Sequence, residues 1–163
     1  MSPGRALHQP AAVFLGQGEI HATAQPAVIS TILGSCVAVC LWEPGIRAGG
    51  MNHIVLSRGG ARSGDPRYGD AAVPALVAAM LDLGASPRRL VAKVFGGGAV
   101  LPLAEPHLSI GIDNARVALQ ELRRHRIPVI AQSVGGRKGM TVRFDTASGE
   151  VVIRRLASLA CAR

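Results

Sequence analysis

Aromatic residues are nearly missing from these 163 residues: one Trp, one Tyr and three Phe make up 3% of the chain. Their scarcity weakens any reading that needs stacking platforms of the kind that bind single-stranded nucleic acid. Any core must be assembled from Val, Leu, Ile and Ala. Lysine is as scarce: Lys93 and Lys138 are the only two, so Arg supplies the rest of the 18 basic residues, against 10 acidic ones. The three cysteines are an odd number and give no disulfide framework. Long apolar runs are also lacking. No stretch approaches the ~20 residues of a membrane span. Arg5 is followed only by the short run Ala11 to Leu15, far below a signal-peptide core. The expectation is a cytoplasmic protein with free thiols and no membrane insertion.

What is abundant is aliphatic. Hydrophobic residues are 48% and charged residues 17%, which excludes a disordered, acidic or coiled-coil chain. Twenty Gly and ten Pro predict many turns, not a helical bundle. The length suits one domain, assigned to residues 11–157, with tails at 1–10 and 158–163. The net charge of +8 suits docking to an acidic protein, an anionic membrane or nucleic acid. Solvated arginine from compositional bias accounts for it equally well. A nucleic-acid binder is disfavoured by the scarcity of aromatics and the lack of a recognised motif.

Short apolar runs predict strands at 19–24, 28–33, 37–42, 49–57, 89–95, 129–134, 140–145 and 150–156. Helical spacing predicts helices at 71–83 and 113–126. Asp70 is the expected N-cap of the first, Gly84 its stop, and Pro74 falls at the end of its first turn. Residues 58–70 read as a loop. The fold class is α/β (α+β), layered, with mixed β-sheets and two main helices.

Chemistry concentrates around Cys36. It follows Leu33-Gly34-Ser35, where Gly34 gives close access and backbone N–H groups can face an incoming carbonyl, as an oxyanion hole requires. Pro44-Gly45 predicts a type II turn between two strands. A hairpin centred there sets Cys36 opposite His53 on one face. Such a pair can become a thiolate and an imidazolium, the activated form of a cysteine nucleophile. The alternative is a buried core thiol. Cys40 shares the strand face of Cys36 and reads as core, and Cys161 as an inert tail residue. A metal site on Cys36, Cys40 and His53 has no CxxC or HxxxH to support it. Gly96-Gly97-Gly98 fails the dinucleotide fingerprint, with Leu101 and Pro102 where the motif needs a glycine and a helix start, and reads as a flexible turn near a site. His107, His125 and the basic turn at 135–139 read as surface.

Thr31-Ile32-Leu33-Gly34-Ser35-Cys36-Val37-Ala38-Val39-Cys40 with Gly50-Met51-Asn52-His53 closely resembles the CheD family of chemoreceptor glutamine deamidases in bacterial chemotaxis. The resemblance continues through Tyr68-Gly69-Asp70, Lys93-Val94-Phe95-Gly96-Gly97, Ile110-Gly111-Ile112-Asp113-Asn114 and Gly135-Gly136, over roughly residues 14–156. It implies a layered fold similar to the deamidase domain of the cytotoxic necrotizing factor toxins. It implies a Cys-His-Thr constellation of Cys36, His53 and Thr31, with Ser30 as the neighbouring alternative to Thr31. Gly34, Ser35 and Asn52 become candidates for oxyanion support. The implied reaction is cysteine-dependent conversion of receptor glutamine to glutamate through a thioester, with methylesterase activity also allowed and no cofactor. The implied partners are chemoreceptor cytoplasmic helices as substrate and a CheC-type phosphatase, and the protein itself is expected to be a monomer. The competing reading is a non-catalytic regulator that binds receptors or that phosphatase.

Overall fold

The computed structural model describes residues 9–100 and 109–157. Most of the expected N-terminal tail, the 158–163 tail with Cys161, and Leu101, Pro102 and His107 lie outside the described residues. Among the described residues eleven elements follow in order: β1 (Ala11–Phe14), β2 (Ile20–Thr23), β3 (Ala27–Leu33), β4 (Val37–Glu43), β5 (Ala48–Asn52), α1 (Gly69–Asp82), β6 (Val91–Gly96), α2 (Ile110–Arg124), β7 (Val129–Val134), β8 (Met140–Asp145) and β9 (Val151–Arg155).

The strands form two mixed sheets, ordered β1-β3-β8-β9 and β2-β5-β4-β6-β7. The strand β4 explains the layering. Every other residue faces the opposite way along a strand. Val37, Val39 and Leu41 pack toward the helices with Leu76, Met80 and Leu122. Ala38 and Cys40 pack toward the other sheet with Ile29, Val142 and Phe144. The order is therefore helices, five-stranded sheet, four-stranded sheet, the layered α/β class expected. Each fully buried Leu or Met on the helix side contributes roughly 1.5–3 kcal/mol by leaving water. Among the described residues no helix is long and apolar enough to cross a membrane.

Three expectations are corrected. The first concerns α1, which starts before Asp70, with Tyr68 as N-cap. The Asp70 carboxylate instead accepts the backbone N–H groups of Gly59 and Gly60 at 3.1 and 3.0 Å, anchoring the preceding loop. Pro74 then lies inside the helix, where it deprives the Asp70 carbonyl of its helical donor. Gly84, with φ +95°, ends the helix as expected.

The second concerns the hairpin. Glu43 pairs with Ala48, leaving the four residues from Pro44 to Arg47 as the loop, with Arg47 left-handed at φ 51°. A two-residue type II turn would splay strands of native twist. The buried Glu43 carboxylate fixes the longer loop by accepting from Gly45 N at 2.5 Å and Arg89 Nε at 3.0 Å.

The third concerns the end of the 49–57 strand. β5 stops at Asn52, and only Val37 and Ile54 form a further rung. Beyond it Val55 N and Leu56 N both turn to Arg67 O, at 2.8 and 3.0 Å, and Leu56 forms an isolated parallel bridge with Tyr68.

Candidate active site

The three residues Gly34-Ser35-Cys36 carry the chain from the four-stranded sheet to the five-stranded one. Their carbonyls are all engaged. Gly34 O accepts from Gly98 N at 2.9 Å, Ser35 O from Asn114 Nδ2 at 3.1 Å, and Cys36 O from Gly97 N at 2.8 Å. No described group accepts from the N–H of Ser35 or Cys36, so two backbone donors flank the thiol. The glycine run at 96–98 is thus a closely packed brace, not the flexible turn expected. Gly97 has φ +68°, and a Cβ there would meet Gly111 O at 2.7 Å. Only glycine lets β6, α2 and the Cys36 loop approach this closely.

The hairpin register differs from the expected one by two residues, and an even shift keeps each side chain on its face. Cys36 and His53 are therefore diagonal neighbours, not opposite ones, and both face the layer between the sheets. Thr31 enters that layer from β3 of the opposing sheet, flanked by Ile29 and Leu33. All three are almost fully buried: Thr31 is 1% exposed, His53 4% and Cys36 8%. Ser30 points out of the layer, and it is Thr31 that meets the imidazole.

The hydrogen bonds assign the histidine tautomer. Thr31 Oγ1 lies 2.8 Å from both Leu15 O and His53 Nδ1. A hydroxyl has one proton, and the carbonyl can only accept. Thr31 therefore donates to Leu15 and accepts from Nδ1–H. His53 Nε2 is left as a bare lone pair, buried and without a hydrogen-bond partner among the described residues, Cys36 included. The backbone of His53 is pinned to the 15–19 turn through Gly18 N to His53 O at 2.9 Å and His53 N to Glu19 O at 3.2 Å.

Burial pushes the Cys36 thiol up from its ordinary value. Burial also pulls the His53 imidazole down, opposed by the Leu15 carbonyl and the Glu19 charge. Both directions favour a thiol beside a neutral imidazole over the charged pair, because a largely desolvated site disfavours both charges.

The remaining candidates separate. Asn52 faces the helix side, the opposite side of its strand from His53, and its Oδ1 accepts from Val39 N at 2.9 Å. It replaces a backbone rung of the β4–β5 ladder and is not brought to the thiol. Cys40 lies deeper in the same layer as Cys36, 2% exposed, its thiol also raised by burial. The basic turn at 135–139 is exposed, but its Gly136 O accepts from Ala99 N at 2.8 Å, beside the glycine brace. Sequence reasoning missed three contributors: Leu15 as the acceptor for Thr31, Glu19 as backbone partner of His53, and Asn114. Only Asn114 left a signal, a polar residue at helical spacing on the buried face shared with Ala118 and Leu122.

These features define a layered α/β domain whose inter-sheet layer holds a Thr–His pair on the same face as a cysteine. The chain belongs to the CheD family: the model of CheD chemotactic sensory transduction matches residues 55–155. It is 47% identical over 145 residues to a Rhodospirillum rubrum protein named "Probable chemoreceptor glutamine deamidase CheD", covering 89% of this chain and 82% of that one. A Trichlorobacter lovleyi protein of the same name is 41% identical over 143 residues, covering 87% and 89%. Among solved structures, the Bacillus licheniformis hypothetical protein YfiH overlies 71% of this chain and 50% of its own, with TM-score 0.45 and 18% identity.

Proposed function

We propose that this protein is a cysteine-dependent deamidase converting glutamine side chains of chemoreceptor cytoplasmic helices to glutamate. The names of its relatives support a chemoreceptor glutamine substrate, and the site geometry supports a cysteine mechanism. The observation that carries it is the Thr31–His53 hydrogen bond, which presents an unprotonated Nε2 on the face of the Cys36 thiol.

When a carboxamide enters, Nε2 takes the Cys36 proton and Sγ attacks the carboxamide carbon, forming the S–C bond. The N–H groups of Ser35 and Cys36 hold the oxyanion of the tetrahedral adduct. The imidazolium returns its proton to the nitrogen, the C–N bond breaks, and ammonia leaves a thioester. Water, deprotonated by the same Nε2, hydrolyses the thioester to glutamate and free thiol. Thr31 keeps the ring oriented throughout, as the third member of a triad does. The neutral resting pair means that thiolate forms only as substrate is engaged. A glutamate methyl ester follows the same path, with methanol leaving instead.

Hydroxylamine tests the thioester. Added during turnover with receptor helices, it should divert product into glutamyl hydroxamate in proportion to its concentration. Glutamate formation with no hydroxamate at any concentration would overturn the covalent route.

A further inference from the structure

Asn114 is a fully buried side chain of α2 that no part of the reaction above uses. Its Nδ2 donates to Ser35 O at 3.1 Å and to Val55 O at 3.0 Å. One of these acceptors precedes Cys36, and the other lies two residues after His53. The ladder explains why a side chain is needed there. Val37 and Ile54 exchange both backbone hydrogen bonds, at 3.0 and 2.7 Å. In an antiparallel ladder the next such rung would join Leu56 N to Ser35 O. Leu56 N is diverted to Arg67 O, leaving Ser35 O without a strand partner. Asn114 supplies the missing donor and uses its second proton to hold the opposite strand.

We propose that Asn114 is a positioning residue: it stands in for the absent rung and fixes the spacing of the Cys36 and His53 segments. It touches no reacting atom in this account. Its Oδ1 is buried without a partner among the described residues, a cost that a purely space-filling apolar side chain would avoid. The inference rests on the Cys36–His53 reading above but is tested separately from it.

The test compares Asn114→Ala with Leu122→Ala, a cavity variant of the same helix facing the helix-side core. For each, the melting temperature, the kcat and KM of receptor-helix deamidation, and the rate of Cys36 alkylation by iodoacetamide without substrate are measured. Asn114→Ala should lower kcat at least tenfold with KM within about twofold, and should change the alkylation rate and its pH midpoint. Leu122→Ala, at equal or greater loss of melting temperature, should leave kcat per folded molecule and alkylation unchanged. If Asn114→Ala does not fold, Asn114→Ser, which keeps one donor, carries the measurement and should give a smaller kcat loss in the same direction. Unchanged kcat and alkylation, or equal losses in Leu122→Ala, would reduce Asn114 to a stability residue and overturn the proposal. Alkylation is read without turnover, so it separates this failure from a failure of the deamidase reading, which Cys36→Ala addresses.

Discussion

The two buried layers of this protein differ in kind. The apolar side chains between the helices and the five-stranded sheet are Val, Leu, Ala, Ile and one Met, and the buried polar residues there, Asn52 and Asn114, hydrogen-bond to backbone groups. The layer between the sheets contains Phe95, Phe144, two other methionines and two cysteines, and it also buries Thr31 and His53. Trp42 packs against it as well. The scarce aromatics are thus concentrated around Thr31, Cys36 and His53, and the plain aliphatics on the helix side. A layer that hosts buried polar groups must fill irregular space around fixed hydrogen bonds, and large rings and flexible Met do so well. In the proposed mechanism the helix-side layer holds the frame and the inter-sheet layer carries the reaction.

That division can be broken by mutation. The largest contrast is between Cys36→Ala and Leu76→Ala. Removing the thiol should abolish deamidation while moving the melting temperature little. Leu76→Ala should cost about 2–5 kcal/mol of stability, read by denaturant unfolding, yet keep kcat per folded molecule. If Leu76→Ala instead lost activity while staying folded, the layers would not be separable.

Next in size is His53→Gln, which removes the base. It should lower kcat by about 10²–10⁴-fold at neutral pH, as loss of general acid–base catalysis typically does. Thr31→Val, nearly isosteric, frees the imidazole to turn and should lower kcat less than His53→Gln. It should cost about 1 kcal/mol through the lost hydrogen bonds. Ser30→Ala should do neither. A loss from Ser30→Ala matching that from Thr31→Val would undo the assignment of the third residue.

A smaller effect sharpens the electrostatics. Because burial lowers the His53 pKa, the acid limb of kcat/KM should lie below the ordinary 6.5. An imidazole depressed in the folded state is protonated first in the unfolded state. Its contribution to stability is therefore full above about pH 6.5 and is lost as pH falls toward the folded-state pKa. His53→Gln should flatten that part of the stability profile. Cys36 alkylation without substrate should stay slow at neutral pH and rise only above its ordinary 9.0. Fast labelling at pH 7 would show a resting thiolate and contradict the neutral pair. The smallest effect is expected at Cys40: Cys40→Ala should leave kcat unchanged and only modestly lower stability.

Much of this was legible in the sequence, for identifiable reasons. The class and both helices followed from apolar spacing, since Val73, Leu76, Val77 and Met80 lie on one face of α1. Cys36 and His53 were found together because a register error of two residues preserves strand parity, although the turn itself was misread. The turn depends on Glu43, whose partner Arg89 is far along the chain, and no local pattern announces that pair. The strand β1 was unreadable for the same reason: its four residues pair in parallel with β3, a tertiary match without a local signature. The Thr31 contact with His53 joins two sheets, so it needed their packing. The directions of the Cys36 and His53 shifts needed the structure, because residue spacing carries no information about desolvation.

The central claim is that the thiol in the inter-sheet layer performs the chemistry, and mass spectrometry of receptor cytoplasmic helices tests it most directly. Helices incubated with the wild-type protein should carry specific glutamines converted to glutamate, with matching ammonia release. Helices incubated with folded Cys36→Ala should carry none above the spontaneous background. Conversion by that variant at the wild-type rate and at the same glutamines would contradict the account.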